Sequence, residues 1–239
     1  MSEERFAARR RGGLLQRWRL PLIIGGGVML AGTIVWAIWF SGLLAANKVV
    51  VEGESTMTEA QIRTAADVPV GTPLLRVDTV AIESRVASME RVQDVSVSRS
   101  MPHTIRIKVT ERVAIAYAKL GGEIRALDQY GIAYRTLDAA PKGLPEVRVT
   151  VADPRRRQQT LTAVASVVKA IRTAPLRADL RFISASSKDS IVLDLTKGRT
   201  VTWGSAGNAK RKLAVLSSLL QISAKQYDVS APDQPTTRR

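Results

Sequence analysis

Residues 92–111 read VQDVSVSRSMPHTIRIKVTE, and their alternation decides the fold. Val95 and Val97 share one face of the first half, Val92 to Arg99; Ile105, Ile107 and Val109 share one face of the second, Thr104 to Glu111, with Arg106, Lys108 and Thr110 opposite. A period of two is that of a half-buried strand, and the Ser100–His103 connection with Pro102 makes the pair a hairpin. Upstream, Asp78 has the position of an N-cap for a helix running to Met89, with Ile82, Val86 and Met89 on one face and Glu83, Arg85 and Ser88 on the other. Pro69, Gly71 and Pro73 interrupt regular structure before it. An earlier helix is expected from Glu59 to Asp67, because Thr58 and Gln61 have capping-box spacing and Met57 and Ile62 that of a hydrophobic staple. Asn47 to Gly53 (NKVVVEG) is a β-branched run closed by glycine, a strand. The order β-α-α-β-β makes residues 47–112 a small α+β module, with both helices on one side of a sheet.

Just before this module lies Leu20 to Ala46, LPLIIGGGVMLAGTIVWAIWFSGLLAA, a run without a single charge. As a helix at about 1.5 Å per residue it reaches roughly 40 Å, enough for one tilted crossing of a bilayer core about 30 Å thick. Trp18, Trp36, Trp39 and Phe40 stand where aromatic rings favour the headgroup zone. The tail before it, residues 1–19, carries Arg5, Arg9, Arg10, Arg11, Arg17 and Arg19 against Glu3 and Glu4, and short arginine-rich flanks stay cytoplasmic. A cleaved signal peptide is the competing reading, but its apolar core is shorter and Leu43-Leu44-Ala45-Ala46 is a poor cleavage site. The expectation is a single-pass protein, tail inside, with everything from Asn47 onward exported.

The exported part goes on as a second region, 113–230, with residues 231–239 as a tail. Strands are expected at Val113–Leu120 and Glu123–Asp128, joined across Gly121-Gly122. A turn follows at Gln129–Gly131, a loop around Pro141, Gly143 and Pro145, and a strand at Val147–Val151. Leu161, Val164, Ala165, Val168 and Ile171 form the apolar stripe of a helix from Gln158 to Ala174. Strands at Leu180–Ala185, Ser190–Leu195 and Arg199–Trp203 come next, then a helix starting between Ser205 and Asn208 that buries Leu213, Leu216, Leu219 and Leu220. This is a mixed sheet packed with two helices. Lys210, Arg211 and Lys212 oppose the dipole in the first turn of that last helix, which suggests a use for them beyond the helix, although solvated cations are also tolerated there. The final strand, Lys225–Ser230, has only Tyr227 and Val229 as an apolar face and is followed by Pro232 and Pro235, so it reads as a sheet edge. Such an edge either accepts a partner's strand or is covered by the Thr-Arg tail.

The net charge of +15 suits anionic lipid, acidic wall polymers or an acidic protein partner better than nucleic acid, which an exported surface rarely meets. With no cysteine, disulfides and thiol chemistry are excluded. The single histidine, His103, sits in the hairpin turn, Asp128, Asp138 and Asp194 are scattered, and no nucleophile motif or phosphate loop is present. No catalytic residue, cofactor, metal or small-molecule substrate is therefore expected.

The VVVEG strand after an apolar run, PVGTPLLRVD, VQDVSVSRSMPHTIRIKVTERVAIAYA, IRALDQYGIAY followed by GLPEV, and Trp203-Gly204 followed by a basic helix and YDVSAPDQP, taken in that order, resemble the bacterial FtsQ/DivIB division-protein family in its actinobacterial style. Met101 and Ala114 depart from that pattern, where the family usually has an aromatic residue and a proline. The resemblance implies a polypeptide-transport-associated (POTRA) domain, then an FtsQ-type β domain. It implies a non-enzymatic scaffold at the septum that binds membrane-anchored division proteins, among them FtsB/FtsL-like coiled-coil partners and the septal synthase, and controls wall synthesis. By the same resemblance the partner surface falls at Lys188, Lys212 and the Tyr227, Asp228, Val229 and Ser230 edge. A POTRA-containing transport or envelope assembly factor is the alternative; the single copy of the module, with no barrel after it, speaks against that.

Overall fold

The structure, a computed structural model, describes residues 21–36 and 44–239. Residues 21–36 form a helix, α1, whose side chains are all exposed. Among the described residues no helix is long and apolar enough to cross a membrane. The predicted span also includes Leu20 and residues 37–43, which, like the predicted tail 1–19, lie outside the described residues. Its expected end is corrected: Ala45 and Ala46 are buried in the module that follows, because Ala45 bridges Pro73 and the Ala46 amide donates to the Thr72 carbonyl at 2.9 Å.

The chain forms two compact units, Met1–Thr110 and Glu111–Arg239. In the first, β1 (Lys48–Glu52) is followed by α2 (Glu59–Ala66), α3 (Thr79–Ala87), β2 (Val92–Ser100) and β3 (Thr104–Glu111). β3 lies between β1 and β2 and runs parallel to β1, which the two intervening helices make possible as a crossover. The capping box is formed: Thr58 Oγ1 accepts from the Gln61 amide and Gln61 Oε1 from the Thr58 amide. Met57 and Ile62 are both buried behind it, as a staple requires. Asp78 caps α3 by accepting from the amides of Val80 and Ala81 at 3.0 Å. Arg85, on the polar face of α3, donates to the Ala66 carbonyl, placing a cation at the negative end of α2. The core is Ile62, Leu74, Ile82, Val86, Val92, Ile105 and Ile107 with their neighbours.

The second unit is one nine-stranded sheet covered by two helices. Its strands are β4 (Ala116–Leu120), β5 (Glu123–Leu127), β6 (Ala133–Leu137), β7 (Glu146–Val149), β8 (Leu180–Ser187), β9 (Ser190–Leu195), β10 (Thr200–Gly204), β11 (Gln226–Asp228) and β12 (Thr236–Arg238), in the spatial order β12-β11-β10-β9-β8-β7-β4-β5-β6. The helices α4 (Pro154–Ile171) and α5 (Ala209–Leu219) connect β7 to β8 and β10 to β11. Both of those pairs are parallel, so each helix is the crossover its strands need. Val164, Val167, Val168 and Ile171 of α4 and Leu216 of α5 meet Ile183, Ile191, Leu193, Val201 and Trp203 of the sheet in one core.

Several boundaries differ from expectation. α4 starts four residues early because Asp153 caps it, accepting from the Arg156 amide at 2.8 Å, with Pro154 in the first turn, where a missing N–H costs nothing. β6 falls between the expected turn at Gln129–Gly131 and the expected loop around Pro141, where no element is predicted. The expected tail, residues 231–239, contains β12, which pairs antiparallel with β11.

Candidate partner interface

The site expected to dock a partner lies at the β10-β11-β12 end of the sheet. Here the structure separates the predicted residues into an exposed set and a buried set. Tyr227 and Val229 are 2% and 0% exposed. β11 is an interior strand, with β10 on one side (Thr202↔Asp228) and β12 on the other (Asp228↔Thr236), so the expectation that Tyr227 to Ser230 is an open edge is overturned. The Tyr227 hydroxyl donates to the Ile222 carbonyl at 2.8 Å and accepts from the Ala224 amide at 3.3 Å, closing the loop that leads out of α5. Asp228 is half-buried, and its Oδ1 accepts from the Ser230 amide at 2.8 Å, turning the chain toward β12.

Lys212 is corrected as well. It is 1% exposed, and its Nζ donates to the Trp203 and Ser205 carbonyls, each at 2.8 Å, while lying 5.8 Å from the Trp203 ring centre. Burial pushes its ammonium below the usual lysine range, partly opposed by the Asp228 carboxylate. The cation that seemed set against the helix dipole serves as an internal strut between α5 and β10, and it is inaccessible to a partner. Arg211, on the outside, pairs with Asp233 in the segment leading to β12.

Ser230 and Lys188 remain exposed, and the fold brings them to one end of the sheet. Gly204 lies between: its φ is +72°, and an added Cβ would come within 2.8 Å of the Ser230 Cβ and 3.8 Å of the Asp189 carbonyl oxygen. Only glycine lets these two turns close in. Lys188 pairs at 3.5 Å with its neighbour Asp189. The outer side of β12 is a terminus of the sheet order, and Thr236, Thr237 and Arg238 are all exposed. Near the other end of β11, Lys197, Arg199, Lys225 and Arg239 line a cationic pocket beside Ile222. Of these, Arg199 is neutralised by Asp179 at 2.7 Å, and that guanidinium, with the Thr196 hydroxyl, holds the Asp179 carboxyl below the ordinary range.

The IRALDQYGIAY passage is a structural pin. Asp128, 0% exposed, accepts at Oδ1 from the amides of Tyr130 and Ile132, both at 2.9 Å, and at Oδ2 from Arg112. Gly131 (φ +76°) lies so close to α4 that an added Cβ would meet the Leu161 carbonyl carbon at 2.4 Å. Gln158 and Thr162 of α4 donate to the Gly131 and Tyr130 carbonyls. On the sheet face away from the helices, Arg148 stacks 3.7 Å over Phe182 and pairs with Glu146, whose carboxyl this bond lowers. His103 Nδ1 lies 3.3 Å from the Ala45 carbonyl oxygen. Among the described residues no group of three or more His, Cys, Asp or Glu side chains is placed to hold a metal ion.

These two units define a class: a three-stranded α+β module followed by a one-sided mixed sheet ending in an open strand. Residues 44–112 match the model of the POTRA domain, FtsQ-type. The chain is 36% identical over 234 residues to the cell division protein FtsQ of Streptomyces bingchenggensis, covering 92% of this chain and 86% of that one. It is 35% identical over 221 residues to FtsQ of Streptomyces coelicolor (88% and 84%), and 32% identical over 201 residues to FtsQ of Mycobacteroides abscessus (84% and 64%). The chain belongs to the FtsQ family of cell division proteins. The extracytoplasmic domain of DivIB from Geobacillus stearothermophilus is a distant structural likeness, with a TM-score of 0.33 and 14% identity over 52% of this chain and 98% of that one.

Proposed function

We propose that this protein is a non-enzymatic, single-pass scaffold of the division machinery. Its tail is cytoplasmic, its two folded units lie outside the cytoplasmic membrane at the septum, and it links other membrane-anchored division proteins so that septal wall synthesis is engaged at the right time. The observation that carries this reading is the outer edge of β12: an exposed strand that ends the sheet order among the described residues, next to the cations Lys197, Lys225 and Arg239. Main-chain pairing along such an edge gives affinity, and the adjacent cations select an acidic segment. FtsB/FtsL-like coiled-coil proteins, with a strand-forming acidic stretch, are the partners proposed for it, and Ser230 and Lys188 flank its other end. The apolar run Leu20–Leu44, still roughly 37 Å long as a helix, supplies the anchor.

The test is co-purification from membranes of tagged partner ectodomains with the full chain and with a chain ending at Asp233, which lacks β12. Loss of the small coiled-coil partners, with hydrogen exchange across β8 and β9 unchanged, supports the edge. Undiminished capture by the shortened chain refutes it.

A further inference from the structure

Outside α1, the described residues of the first unit leave four large apolar side chains in water: Val80 in the first turn of α3, 74% exposed, and three in loops. Val70 is 67% exposed, Met101 59% and Leu75 40%. They belong to two loops, residues 68–77 and the β2–β3 turn, far apart in sequence. Both loops close around the same short stretch, Ala45 to Lys48. On one flank the Ala46 amide donates to the Thr72 carbonyl at 2.9 Å and the Gly71 amide to the Ala46 carbonyl at 3.0 Å. On the other, the amides of Asn47 and Lys48 donate to the His103 carbonyl at 3.0 and 3.1 Å. Arg99 ties the two loops together, donating from the end of β2 to the Leu74 and Val77 carbonyls at 3.0 and 2.7 Å.

That stretch is where the apolar run Leu20–Leu44 enters the fold. Leu44 is the last residue of the run, and Ala45 is already bridged to Pro73. A domain that begins at the very next residue after an apolar run keeps the rim around its attachment point near the surface the run emerges from. The rim residues suit that position, with three apolar side chains pointing outward and the exposed cations Lys48 and Arg76 beside them, the combination that immerses apolar groups roughly 5–10 Å into the headgroup and acyl boundary while cations meet anionic lipid. We propose that the 68–77 loop and the 101–103 turn form a foot by which the first unit rests on the bilayer, with Val70, Leu75 and Met101 inserted in its interfacial zone. The foot rests on the anchor reading and adds to it a fixed orientation of the unit, β2 rising from the membrane by roughly 30 Å to the α3–β2 turn.

The chain has no cysteine, so one introduced thiol reports one position. Full-length V70C, L75C and M101C, with E90C in the distal turn and V28C in the apolar run, are labelled with an environment-sensitive fluorophore. Each is reconstituted into phosphatidylglycerol/phosphatidylethanolamine vesicles with and without doxyl-labelled lipid. The foot predicts blue-shifted emission and doxyl quenching at 70, 75 and 101, and neither at 90. Quenching at 28 while 70, 75 and 101 behave like 90 overturns the foot and leaves the anchor standing. An unquenched label at 28 overturns the anchor reading, and the foot with it.

Discussion

Replacing Asp128 by alanine removes the one carboxylate buried under the β5–β6 turn. Three donors lose their acceptor: the amides of Tyr130 and Ile132 and the Arg112 guanidinium. Breaking a buried pair from one side costs about 3–5 kcal/mol. Arg112 keeps a path to water, its side chain being 16% exposed against 0% for Asp128, which places the expected cost near the lower figure, about 3 kcal/mol. Native-state hydrogen exchange on the full chain reads this directly. At about 1.4 kcal/mol per tenfold, amides of β8 and β9 that exchange only through global opening of the second unit should exchange about a hundredfold faster. Asp128→Asn keeps the Oδ1 acceptor for the two amides but puts an NH2 donor where Oδ2 accepted from Arg112, so it should fall between wild type and Asp128→Ala. If Asp128→Ala exchanges within a fewfold of wild type, the pin is not what holds the β5–β6 turn to α4.

Lys212→Ala should destabilise the second unit by about 3 kcal/mol, since it opens a cavity and strips two carbonyls of their donor, whereas Lys188→Ala should stay within about 0.5 kcal/mol; thermal unfolding of the two variants checks the contrast. Asp179 carries a folded-state pKa below its unfolded one, so its pairing with Arg199 stabilises above the unfolded carboxylate range and is lost as pH falls through the lowered value. The difference in unfolding midpoint between wild type and Asp179→Asn should accordingly shrink as pH drops from neutral to about 3.

The first unit was legible because local signals and tertiary demands agree there. Thr58, Gln61 and Asp78 announce their helices, and Ile105, Ile107 and Val109 announce the face that is buried. In the second unit the apolar stripe of α4 and the alternation of β9 are legible in the sequence, whereas features that depend on a neighbour distant in sequence are not. Tyr227 and Val229 read as an apolar face, but β12, Thr-Thr-Arg after two prolines, has no apolar pattern to betray that it pairs beside them. Lys212 did leave a trace: it stands four residues before Leu216, on the stripe that faces the sheet, where a solvated cation does not belong. The start of α4 was also available in Asp153-Pro154, a cap followed by a first-turn proline. β6 alternates with Tyr134 inward, yet a five-residue strand between turn signals is easily absorbed into its loops.

The proposed docking strand for a division partner is β12. A photo-crosslinking amino acid placed at Thr237 in dividing cells, with Thr136 on the opposite edge strand β6 as the control, tests it without disturbing the core, both side chains being exposed. Docking on β12 predicts an adduct with a small membrane-anchored division protein from position 237 and none from 136. Adducts of equal yield from both positions, or from 136 alone, would contradict it.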